Sequence, residues 1–323
     1  MLYTLSYKTK QFFFVLIKLS VVVAAFYFIY QKLANNPELN FKDFIQFLFN
    51  NDVISLKNIV LLLILSFFNW FFEILKWQNL VAAILKINFK TALEQSLGAL
   101  TASLFTPNRI GEYGAKAIYY KPNQRKQIML INLISNVLQM GVTVILGIIG
   151  FYFFTSKYNL NLDYHKLSKG LVILLLILFL FVFGVQKSKL TIKGFSFEKI
   201  KNYLLRFPKH RLIKGFIYSF IRYAIFSFQF YFLLIIFKID ISYLNAMEII
   251  TSMYLLASII PSIFIFDVLI KGSIAVFLFS ILSVNELTIL SIISLMWILN
   301  FVIPSIFGSY YVLKFKLPKT QIN

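Results

Sequence analysis

The residues best able to do chemistry in this chain stand together at 104–120, LFTPNRIGEYGAKAIYY, directly after an apolar run. Pro107 lacks an N–H and disfavours helix at Thr106, so a helix is expected to stop there. Gly111 and Gly114 permit close backbone approach. A new helix starting near Gly111 would aim free N–H groups and a positive dipole end at whatever lies ahead, a geometry that suits phosphate. Arg109 beside it adds a bidentate phosphate donor. Pro107, Asn108, Arg109, Gly111 and Glu112 are therefore candidate substrate contacts. Glu112 and Lys116 are four apart with the acid first, the better order for a helical ion pair; Glu112 could equally accept a cationic headgroup. The plainer reading of TPNRIGEY is an ordinary cytoplasmic turn with capping residues.

A second stretch echoes the first. Glu94 precedes Pro107, and Glu248 precedes Pro261, by the same thirteen positions. Downstream, Asp267 and Lys271 repeat the four-residue acid-to-lysine spacing, and ILKINF at 84–89 echoes IFKIDI at 236–241. Pro261, Asp267 and Lys271 are thus candidates for an outer counterpart of the first site. Arg222 and Glu73 are further charges inside apolar runs, where each costs about 2.5–3.5 kcal/mol on insertion scales. Arg222 reads either as a substrate ligand or as an interfacial side chain. Glu73 and Lys76 read as a pair near the cytoplasmic interface, with Lys76 snorkelling.

These residues need elements to position them, and the composition says which. The chain has 323 residues, 59% hydrophobic, with 38 Phe. A soluble domain would have to expose much of that surface, so this is an integral membrane protein. The formal charge of +20 lies between apolar segments, which points to anionic lipid headgroups and away from nucleic acid. There is no Cys, and His165 and His210 are the only histidines, both in basic connections. A thiol nucleophile, a cysteine zinc site and a disulfide framework are excluded; no cofactor or metal is expected.

A span needs roughly 20 mainly apolar residues. Full spans are expected at about 11–33, 59–80, 127–155, 168–187, 212–237 and 287–313, the first a retained span rather than a signal peptide. The basic 187–214 connection belongs on the cytoplasmic side, as do both termini. The mildly basic 156–169 connection runs against this assignment. The topology closes only if 91–120 and 246–284 each leave and return on one side. The expected fold is all-α: one transmembrane domain over 1–323, with about six full helices and two re-entrant helical hairpins. Three spans between the hairpins relate them as inverted repeats, a transporter plan in which broken helices meet near mid-membrane.

With Pro107, Arg109, Gly111 and Glu112 in place, TPNRIGEYGAKA resembles the P-x-R-x-G-E signature of the lysylphosphatidylglycerol synthase/flippase transmembrane family. The second stretch, IIPSIFIFDVLIKGS, is a degenerate form that lacks the family's glycines. The resemblance implies a membrane domain that moves polar-headed lipids between leaflets. The soluble aminoacylating domain of two-part members has no counterpart in this sequence, so no enzyme activity is expected. The leading expectation is a lipid translocase of the bacterial inner membrane. Its partners would be anionic or aminoacylated phospholipids or a polyprenyl-linked lipid. Two alternatives stay open. One is a polyprenyl-phosphate-dependent membrane transferase, for which Asp43, Asp52, Asp163 and Asp240 are the available, unclustered outer acids. The other is a non-transporting scaffold for lipid or cell-envelope assembly, with no polar cavity at Arg109.

Overall fold

The computed structural model describes residues 55–104, 106, 109–158, 197–259 and 267–316, with scattered positions between 16 and 49. In chain order the helices are α1 (Leu56–Val81), α2 (Phe89–Ser103), α3 (Gly111–Ala117), α4 (Arg125–Lys157), α5 (Phe197–Arg206), α6 (Lys209–Ile236), α7 (Tyr243–Ile259), α8 (Asp267–Ser280) and α9 (Glu286–Trp297). A π-helical turn (Ile298–Val302) leads into α10 (Ile303–Lys314). No strand occurs among the described residues.

Four helices are long and apolar enough to cross a bilayer: α1, α4, α6 and the continuous Glu286–Lys314 rod, of 26, 33, 28 and 29 residues. At 1.5 Å per residue each exceeds a hydrocarbon core of about 30 Å. They match four of the six expected spans. The other two, 11–33 and 168–187, lie outside the described residues apart from scattered positions in the first. The first interrupted stretch is broken here; in the second, residues 260–266, where the break is expected, lie outside the described residues. α2 has 15 residues, roughly 22 Å, too short to span, and α7 is described over the 17 residues Tyr243–Ile259.

The long helices α1 and α6 run antiparallel, and their hydrogen bonds show the register. Asn79 donates to the Arg211 carbonyl at 2.8 Å and Arg211 donates back to the Asn79 carbonyl at 2.8 Å. At the opposite end Gln229 donates to the Leu62 carbonyl at 3.0 Å. Around this pair α2 lies on α10 and α4 lies on α7. Both contacts are also antiparallel and close. A side chain at Gly308 would meet Leu97 and Thr101, and one at Gly147 or Gly150 would meet Thr251. Shifting Glu94 onto Glu248 carries Leu97 onto Thr251 and Thr101 onto Leu255. Corresponding positions of the two short helices therefore each receive a glycine from the opposite half.

Two apolar clusters sit at opposite ends of the α1–α6 pair. One joins Trp77, Leu80 and Val81 to Ala92, Ala117, Tyr120, Ile128 and Phe207. It holds both ends of the α2–α3 hairpin together, and Tyr119 accordingly donates to the Glu94 carbonyl at 3.3 Å. The other joins Leu62 and Phe237 to Ala246, Phe279 and Ile289, with Ile239 and Leu282 packed against it. It does the same for α7 and α8.

The π turn has a local cause. Pro304 has no N–H to give the Asn300 carbonyl, and Ile303 bonds back to Ile298 instead of Leu299. Two carbonyls are left open inside the helix. α1 takes both: Ser66 donates to Leu299 at 2.5 Å and Trp70 to Asn300 at 2.9 Å.

Candidate functional site

On α1, Ser66, Asn69, Trp70, Glu73, Lys76 and Trp77 recur every three or four residues and are all buried. A polar stripe on an otherwise apolar helix must face protein or water, because lipid cannot satisfy it. Asn132, Asn136 and Gln139 form a similar stripe on α4, and Arg222 projects from α6. These meet α3 and the break before it around a cavity of about 170 Å³. Its walls are Trp70, Glu73, Lys76, Ser96, Arg109, Glu112, Asn136, Gln139 and Arg222. That space is enough for several waters or a small polar headgroup.

Two carboxylates organise the charges. Glu73 pairs with Lys76 at 2.8 Å and, closely, with Arg222. Arg222 also donates to the Asn69 and Gln139 side-chain oxygens, at 3.0 and 3.2 Å. Glu112 pairs with Arg109 at 2.9 Å and with Lys116 at 2.6 Å, one oxygen to each. Lys116 is fully buried; it donates to Asn132 at 2.9 Å and stands 4.1 Å from the Trp77 ring centre. Among the described side chains, four cations thus face two carboxylates, an excess of two positive charges. Arg109 Nε and Ser96 Oγ, atoms of two wall residues, are fully buried and hold no hydrogen bond among the described residues.

Neutral groups fix this arrangement. Asn69 donates to the Asn300 oxygen at 2.7 Å, and Asn300 donates to Gln229 at 2.8 Å, tying α1 and α6 to the π turn. Trp77 and Tyr120 both donate to the Gln95 oxygen at 2.7 Å, which locks the hairpin against α1. Burial pushes the Tyr120 phenol up to about 12, with the Gln95 bond pulling the other way, so this donor keeps its proton. Asn136 donates to the Tyr113 hydroxyl at 3.0 Å and holds α3 to α4.

The structure brings Arg109, Glu112 and Arg222 to one cavity, with Lys116 behind Glu112 and Gly111 beside it. Pro107, Asn108 and Pro261 lie outside the described residues. Asp267 and Lys271 begin α8, but their side chains also lie outside. Three sequence expectations need correction. The Gly111 N–H is not free for an anion: it donates to the Thr106 hydroxyl at 3.0 Å, and α3 is only seven residues long. Close approach explains Gly111, where a Cβ would lie 2.9 Å from Thr106, but not Gly114, where nothing stands within 4 Å. Lys76 does not snorkel either. It is 1% exposed and paired inside the protein. Ser96, Asn136 and Gln139 went unread; the three-and-four spacing of the α4 amides is the signal that could have found two of them. Among the described residues no group of three His, Asp or Glu side chains could hold a metal ion.

The family model for the lysylphosphatidylglycerol synthase TM region matches residues 15–308. No curated protein and no solved structure matches the chain.

Proposed function

The chain belongs to the lysylphosphatidylglycerol synthase transmembrane-region family and is a membrane protein, and from that premise we propose that it carries a polar-headed lipid between the leaflets of the bacterial inner membrane. The observation that carries this reading is the cavity where Lys76, Arg109 and Arg222, with Lys116 behind Glu112, oppose two carboxylates. Charges so placed stay ionised only if paired or hydrated. A cavity of this size with an excess of cations suits a lipid phosphate whose acyl chains stay in the bilayer.

The antiparallel α1–α6 pair, the crossed α2–α10 and α4–α7 contacts and the two end clusters support inverted repeats. On this reading α2–α3 and α7–α8 are re-entrant hairpins, the first entering from the cytoplasmic side and the second from outside, with both termini cytoplasmic. Arg109 sits in the break of the first hairpin, while Arg222 comes from the other half. Rocking of one half against the other would open and close the cavity between them. The chain on this reading is a carrier, not an enzyme, driven by mass action or an ion gradient.

The test is a leaflet-exposure assay in cells or liposomes with Arg109→Gln and Glu112→Gln. Both variants are expected to lose most of the lipid movement; Glu112→Gln also leaves the buried Lys116 without its carboxylate, so a thermal melt is read beside it and Arg109→Gln, at a half-exposed side chain, decides the test. Unchanged movement in both removes the cavity from the mechanism and the reading with it.

A further inference from the structure

We infer that the headgroup this cavity accepts is an acidic phosphate ester without an ammonium group, an anionic lipid rather than an aminoacylated or zwitterionic one; the inference rests on the lipid-carrier reading above. The charge arrangement leads there. Both oxygens of Glu112 are already engaged, one by Arg109 and one by Lys116. Glu73 shares a single oxygen between Lys76 and Arg222. Each carboxylate is therefore flanked by two cations, and an incoming ammonium would meet more positive than negative charge wherever it approached. Like charges brought together in a desolvated site are strongly disfavoured.

The full chain in neutral detergent is to be tested by native mass spectrometry against phosphatidylglycerol, phosphatidylethanolamine and lysyl-phosphatidylglycerol. The same three lipids, tail-labelled, are then followed between leaflets of phosphatidylcholine liposomes. Phosphatidylglycerol is expected to bind more than about tenfold tighter than the lysyl form. Gln139→Glu, which adds a carboxylate beside Arg222, is expected to shrink that ratio. Equal or tighter binding of the lysyl or ethanolamine lipid overturns the inference and leaves the carrier reading standing if movement persists. Selective binding of phosphatidylglycerol with no movement of any lipid upholds the headgroup class and sinks the carrier. Inorganic phosphate that binds as tightly as phosphatidylglycerol marks a soluble-anion site and overturns the lipid assignment. The wild-type comparison decides the matter even where the variant fails to fold.

Discussion

Arg109 is held at φ 55°, a left-handed conformation that costs a non-glycine residue about 1–2 kcal/mol. That twist comes where the chain turns out of α2 toward α3, and it delivers the guanidinium to Glu112 and to within 5.8 Å of the Phe301 ring centre. Arg109→Gly should relieve the twist and Arg109→Ala should not, so the glycine variant is expected to melt higher by up to ~1 kcal/mol of stability. Both should lose lipid movement equally, which a thermal melt paired with the leaflet assay would resolve. Glu73 behaves differently because it is enclosed. Glu73→Gln leaves Lys76 and Arg222 buried without their shared carboxylate, and a loss of about 3–5 kcal/mol is expected. Adding Lys76→Met to that variant should recover part of the loss, read as a positive coupling in a double-mutant cycle. The pairing of Glu112 with Lys116 could be read from spacing alone, since helix geometry fixes it. That of Glu73 with Arg222 could not, because 149 residues separate them and only the antiparallel packing of α1 on α6 brings them together.

At the scale of elements, the crossed helix pairs depend on glycine. Gly308 lets α10 reach the Leu97 carbonyl and the Thr101 hydroxyl, and Thr101 uses that closeness to donate to the Ser305 carbonyl at 2.8 Å. Gly308→Val must push α10 off α2, so a substantial drop in melting temperature is expected. Gly114→Ala, with nothing in reach of a new methyl group, should be neutral or stabilise by up to ~1 kcal/mol through helix propensity. The two variants side by side test whether glycine placement follows packing. The break after α2 was legible, because Pro and clustered charges cannot continue an apolar helix unaided; its expected counterpart before Asp267 lies outside the described residues. The π turn was not. Pro304 signalled a fault in the last rod, but which carbonyls it freed depended on Ser66 and Trp70 standing opposite.

For the molecule as a whole, the absence of cysteine makes the topology directly testable. Single cysteines at Lys86 and Lys121, which flank the first hairpin, should react with an impermeant thiol reagent from the same side. Cysteines at Asp240 and Glu286, which flank the second, should react from the other side. Labelling of Lys86→Cys and Lys121→Cys from opposite sides would make α2–α3 a crossing and end the re-entrant reading. Ligand linkage offers a second whole-molecule check: a lipid that binds only the folded chain should raise its melting temperature with concentration, by about 2.7 kcal/mol at a hundred times its Kd. Sequence by itself determined that this chain lives in a membrane, that it is helical, where four long spans run and where the apolar pattern breaks. Hydropathy and helix-breaking are local properties, carried by each residue and its near neighbours. Tertiary structure alone decided that Glu73, Lys76 and Arg222 join Arg109 and Glu112 in one cavity. That convergence depends on which helix faces lie against each other, and side chains far apart in the chain settle it by burying their polar groups together.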